Sequence, residues 1–95
     1  IFDNASALLL QFEIPLLAVI LAAKAAQKAG IRVILDPAPA QKDIPKELYK
    51  LVDIITPNEI EASQLVGFPV NNPETALEAA AVLRQRGVKT AIVKL

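Results

Sequence analysis

The sequence predicts an α/β fold, a parallel sheet of four strands with flanking helices in Rossmann-like form. Three observations carry that expectation. Short aliphatic runs alternate with longer helical patterns, an order that builds βαβ units with right-handed crossovers. Hydrophobic residues fill 54% of the 95 positions while aromatics fill 4%. Aliphatic side chains must therefore make the core, as in parallel strands buried on both faces. Each of the three glycines, Gly30, Gly67 and Gly87, falls just past a helical pattern, where it stops a helix.

The elements follow in order. Ala7 to Phe12 is a short apolar run, read as a strand because Pro15 suits the first turn of a new helix. That helix spans about Pro15 to Ala29, with Lys24 and Lys28 near its negative end. Ile31 to Leu35 is a β-branched second strand, ended by the two prolines of Asp36-Pro37-Ala38-Pro39-Ala40. Asp43 is placed to cap a short helix from about Ile44 to Leu51, with Pro45 in its first turn. Val52 to Thr56 reads as the third strand. Asn58 starts a helix that runs to about Val66. Asn72-Pro73-Glu74 opens another helix, which ends at Arg86. Thr90 to Leu95 reads as the last strand.

Composition excludes several function classes. Ten basic and ten acidic side chains cancel, and no basic stripe marks a nucleic-acid surface. Cysteine and histidine are both absent, so disulfides, the usual zinc sets and Ser-His or Cys-His nucleophile pairs are excluded within these residues. The longest apolar stretch, Ile14 to Ala23, is too short to span a bilayer, and it contains Pro15. No signal peptide opens the chain, so a cytoplasmic protein without membrane partners is expected. Methionine is absent, the chain opens at Ile1, and it closes on Leu95 inside an expected strand. Both ends look like cuts through a longer protein.

In a parallel α/β sheet, ligands gather beyond the carboxyl ends of the strands. That rule selects Glu13, Asp36, Asn58 and Lys94, one after each strand. Such an edge suits a phosphate-bearing ligand with magnesium, which prefers oxygen ligands. Glu13 is either an exposed acid favouring a helix start or a carboxylate for sugar hydroxyls. Asp36 before Pro37 reads as a turn former or a ligand. Asn58 and Glu61 form a capping box, or a helix start that binds phosphate and holds a magnesium shell. The two readings can coexist. Lys94 is a solvated strand-end lysine or a phosphate contact. Neither G-x-G-x-x-G nor a Walker A motif occurs.

Three segments carry a resemblance: Leu9-Leu10-Gln11-Phe12-Glu13-Ile14-Pro15, Asp36 to Ala40, and Asp53-Ile54-Ile55-Thr56-Pro57-Asn58-Glu59-Ile60-Glu61-Ala62. With the closing Gly87 to Leu95, they resemble the ribokinase group of the PfkB-type carbohydrate kinase family. The resemblance implies a ribokinase-like core, with residues 1–95 forming the central part of a single domain. It implies that the parent phosphorylates a sugar hydroxyl, that of ribose first, using Mg2+ with ATP and activated by a monovalent cation such as K+. By matching position, Glu13 would contact the sugar, Asn58 and Lys94 the nucleotide, and Glu61 the magnesium and phosphate environment. Asp36 stands where asparagine is common in this group. The family's N-terminal sugar-site and lid region and its C-terminal Gly-Ala-Gly-Asp segment, with the catalytic base, have no counterpart here. No catalytic residue is therefore assigned, and these residues alone are expected to be inactive. The parent is expected to be a homodimer paired through lid strands. A non-catalytic flavodoxin-like module and a same-family kinase for another sugar or nucleoside are the competing readings.

Overall fold

A computed structural model describes residues 7–39 and 44–95. The elements run β1 (Ala7–Gln11), α1 (Leu16–Lys28), β2 (Arg32–Asp36), α2 (Lys46–Leu51), β3 (Ile54–Ile55), α3 (Glu59–Val66), α4 (Pro73–Gln85) and β4 (Thr90–Ala91). The four strands form one sheet in the order β1-β2-β3-β4, and every pair is parallel. The expected class and order of elements are both present.

Two differences at the helix starts have one cause. Pro15 and Pro45 are not the first helical residues; each precedes its helix with extended backbone. Their carbonyls still accept the first helical bonds, from Val19 and Leu48. A proline's fixed φ suits either place, so its presence marks a start without fixing the position. The expected cap of α2, Asp43, lies outside the described residues.

The strands β3 and β4 are shorter than the expected Val52–Thr56 and Thr90–Leu95. Hydrogen bonding nevertheless continues past both. Asp53 and Thr56 donate to Val33 and Leu35, while Thr90, Ile92 and Lys94 donate to Asp53, Ile55 and Pro57 at 2.8–2.9 Å. Pro57 has no N–H, so it contributes only its carbonyl to this ladder, accepting the Lys94 amide.

The sheet is covered on one face. Right-handed crossovers in a sheet that grows in one direction place successive helices on the same side. Burial agrees. Leu10, Leu35 and Ile55 are register partners in adjacent strands, and all three are buried beneath the helices. They join Val19, Ala23, Leu48, Tyr49 and Leu83 in the main core. Burying each of the valine, leucine and isoleucine side chains among them stabilises the fold by roughly 1.5–3 kcal/mol. The neighbouring row, Leu9, Ile34 and Ile54, points to the other face, where Leu9 is 59% exposed. The expectation that the strands are buried on both faces thus holds for one face only within these residues.

The rim at the start of the strands is stapled by Asp53. Its carboxylate accepts the Val33 amide at 2.7 Å and pairs with Lys89 at 3.2 Å, tying three strands together. Burial pushes the Asp53 carboxyl up, but the Val33 amide, Lys89 and Arg32 together outweigh it and hold it below the usual aspartate value.

Candidate functional site: the carboxyl rim of the sheet

Because all strands are parallel, their carboxyl ends share one rim. Glu13 follows β1, Asp36 ends β2, Asn58 follows β3 and Lys94 follows β4. Adjacent strands lie about 4.8 Å apart, so Glu13 stands roughly 14 Å from the Lys94 position across the rim.

The best-built part of the rim is the start of α3. Asn58 has extended backbone and caps the helix. Its Oδ1 accepts the Glu61 amide at 2.8 Å, and Glu61 Oε1 accepts the Asn58 amide at 3.0 Å. The structural reading of this pair, a reciprocal capping box, is therefore present. Each side chain retains further capacity. The box does not use the Asn58 side-chain amide hydrogens or Glu61 Oε2. Neither has another hydrogen-bond partner among the described residues, and no buried side-chain polar atom there lacks one. Glu61 is only 7% exposed.

Lys94 is brought to the same place by the backbone. It forms a parallel bridge with Asn58, and its amide donates to the Pro57 carbonyl at 2.8 Å. Asn58, Glu59, Ile60, Lys94 and Leu95 line one shallow groove. The amides of Glu59 and Ile60, in the first turn, precede the first intrahelical acceptor bond, which runs from Ala62 to Asn58. The groove thus combines free helix amides, a dipole that favours anions and the Lys94 ammonium. Glu59 and Glu61 stand within one turn of them.

That mixture fits magnesium phosphate better than a bare anion. Among the described residues no group of three acidic, histidine or cysteine side chains could cage a metal. Magnesium rarely needs a cage, because it is held by one or two carboxylates plus phosphate oxygens and water. The Oε2 of Glu61, which the cap does not use, could serve as such a single carboxylate contact, direct or through water.

Glu13 lies apart. It is exposed, and it borders a separate hollow with Leu9, Leu10, Gln11 and Ile14. The rim therefore gathers Asn58, Glu61 and Lys94 together and leaves Glu13 at its far end. Asp36, half-buried between them, accepts the Gln11 side-chain amide at 3.4 Å. Ile60 and Gln11 border these hollows without having been singled out in the sequence. Only the register Gln11↔Asp36 could have indicated Gln11, and register is invisible before strand order is known.

The comparisons agree with this architecture. The sequence profile of the pfkB family carbohydrate kinases matches residues 2–95. A ribokinase of Haemophilus influenzae is 48% identical over 88 residues, which is 93% of this chain and 28% of that protein. A ribokinase of Arabidopsis thaliana is 45% identical over all 95 residues, 25% of its length. The structure of the Arabidopsis thaliana ribokinase complexed with ribose and ATP superposes with a TM-score of 0.90 at 46% identity, covering 97% of this chain and 30% of that one. The chain thus spans less than a third of the length of the relatives it matches. With a profile match over nearly every residue, a sheet rim of the expected form and close structural likeness, the chain belongs to the pfkB family of carbohydrate kinases.

Proposed function

We propose that the protein containing these residues transfers the γ-phosphoryl group of ATP to a sugar hydroxyl, and that the sugar is D-ribose, giving ribose 5-phosphate. The observation that carries this reading is the groove where the Asn58–Glu61 cap meets Lys94 on the carboxyl rim. The similarity to two ribokinases supports the choice of sugar.

In this reading Asn58 and Lys94 hold the nucleotide phosphates, one by its side-chain amide and the other by its ammonium. Glu61 contacts the metal through Oε2. Magnesium, when bound, neutralises the phosphate oxygens during transfer. The capped helix start is rigid, so its amides need no reorganisation as charge shifts. Glu13, at the far end of the rim, accepts hydrogen bonds from sugar hydroxyls. The sugar oxygen bonds to the γ-phosphorus as the bond to the β–γ bridging oxygen breaks. The hydroxyl proton goes to a base that is not among the residues assigned here. These 95 residues form the central part of a single α/β domain, and K+ or a similar cation activates the whole enzyme. The parent is a cytoplasmic homodimer. Among the described residues, no helix is long and apolar enough to cross a membrane.

The test is a coupled ADP-release assay on the full-length protein with ribose, deoxyribose, fructose and adenosine. Ribose should give the highest kcat/KM. Preference for another acceptor would remove the ribose assignment, and ATP turnover with none of them would remove the kinase reading. The 95-residue polypeptide alone should show no turnover.

A further inference from the structure

Three helices meet at Arg86, the C-terminal cap of α4. One guanidinium nitrogen, Nη1, donates to the Leu65 carbonyl at 2.7 Å and to the Tyr49 hydroxyl at 3.2 Å. The guanidinium carbon lies 5.6 Å from the centre of the Tyr49 ring, within cation–π range. Tyr49 belongs to α2 and is only 3% exposed. Leu65 belongs to the last turn of α3, where a carbonyl has no intrahelical partner. Arg86 thus ties the tail of α3 to α4 and to the buried ring of α2.

We infer that Arg86 is a positioning residue for the phosphate groove at the opposite end of α3. The helix has eight residues, a rod about 12 Å long. It buries only Glu61, Ala62 and Leu65, so packing alone gives it a short grip. Its front end is held by the capping box, and Ser63 ties its middle to the following loop through the Val70 amide at 2.9 Å. The tail is held by a charge-assisted bond, which is roughly twice as strong as a neutral one. Releasing the tail lets a rigid two-turn rod tilt, and the tilt is felt at Asn58 and Glu61. A planar guanidinium can stack on Tyr49 while reaching Leu65; a lysine ammonium cannot hold both geometries.

This inference rests on the proposed nucleotide role of the groove, and its test separates the two. In the full-length protein, Arg86→Ala and Arg86→Lys would be compared with Val19→Ala, a core change in α1 that leaves the Arg86 bonds to Leu65 and Tyr49 in place. The expected result is about a tenfold rise in KM for ATP in Arg86→Ala, with KM for the sugar within about twofold. Arg86→Lys should fall between Arg86→Ala and the wild type. Backbone amides of Glu61 and Ala62 should exchange hydrogen faster in Arg86→Ala than in Val19→Ala at matched stability. Equal changes in both KM values, or exchange no faster than in Val19→Ala, would overturn the inference. If the protein phosphorylates no sugar, the kinase reading fails, and the exchange comparison alone decides the role of Arg86.

Discussion

Substitutions at Asn58 can separate the cap it forms from its proposed phosphate role, because capping and phosphate binding ask for different chemistry. Capping needs only a side-chain oxygen that reaches the Glu61 amide, now at 2.8 Å from Oδ1. Asparagine, aspartate and serine cap almost equally well, and alanine costs about 1 kcal/mol. In the full-length protein, Asn58→Ala should therefore lose roughly 1 kcal/mol in urea unfolding. Asn58→Asp should stay within about 0.5 kcal/mol of the wild type, since it keeps the cap and favours the helix dipole. Binding of ATP should rank the variants in another order. Asn58→Ala removes an amide donor, whereas Asn58→Asp places a carboxylate against phosphate. Two like charges about 4 Å apart repel by up to ~4 kcal/mol at an effective dielectric constant of 20. Asn58 is exposed, so screening reduces that figure. About 1.4 kcal/mol, a tenfold rise in KM for ATP, is a reasonable minimum for Asn58→Asp. The assay pairs unfolding curves with ATP titrations at fixed magnesium. An Asn58→Asp protein with wild-type stability and wild-type KM would show that Asn58 serves as a cap alone.

Three further outcomes follow from the fold. Gly87 has φ +125°, and an added Cβ would lie 2.9 Å from Lys50 Cγ and 3.3 Å from Lys50 Cα. Gly87→Ala should lower unfolding free energy by about 1–3 kcal/mol in urea, and an unchanged midpoint would contradict the geometry. The Asp53 carboxyl is held below its usual value, so the unfolded chain takes up that proton more readily than the folded one. Its contribution is complete above about pH 4 and is lost as pH falls through the folded value. The stability gap between wild type and Asp53→Asn should therefore stay constant above about pH 4 and narrow as pH falls below it, and a gap that stays constant throughout acid unfolding would refute the staple. Finally, the sheet row of exposed Leu9 and half-buried Ile34 and Ile54 should make the isolated 95-residue polypeptide bind a hydrophobic dye. Leu9→Lys should reduce that binding, and dye binding unaffected by the change would place the exposed surface elsewhere.

The pattern of strands and helices was legible because each boundary carries its own chemistry. Asn58 and Asn72 both cap their helices through reciprocal boxes, and both are recognisable from the residues that follow them. In the second box the partner is Thr75, whose hydroxyl accepts the Asn72 amide at 3.2 Å, and not Glu74. Prolines were less exact guides, since Pro15 and Pro45 stand just outside the helices they announce. What no local pattern could supply was strand order. An aliphatic strand looks the same whether a helix covers one face or two, and only the order β1-β2-β3-β4 exposes the Leu9 row. The separation of Glu13 from the Asn58–Lys94 groove has the same origin. One-per-strand placement is readable from the sequence, but the distance along the rim depends on which strands are neighbours.

Charge explains why the groove needs more than its own residues. Free amides at the start of α3 and the Lys94 ammonium attract phosphate, while Glu59 and Glu61 in the same turn repel it. A helix start built only to stabilise the fold gains from such acids, because they complement the dipole. A phosphate site would lose by them unless a cation intervened. Glu61 resolves the conflict by its division of labour. Its Oε1 is spent inside the helix cap, and its Oε2 is left outside it. In the proposed function Glu61 would hold a divalent cation, whose charge would turn that repulsion into a bridge. On this argument Glu61→Gln keeps the cap acceptor and loses the bridge. Its defect should therefore lie in magnesium dependence and leave helix stability nearly intact, the reverse of what a purely structural Glu61 would show.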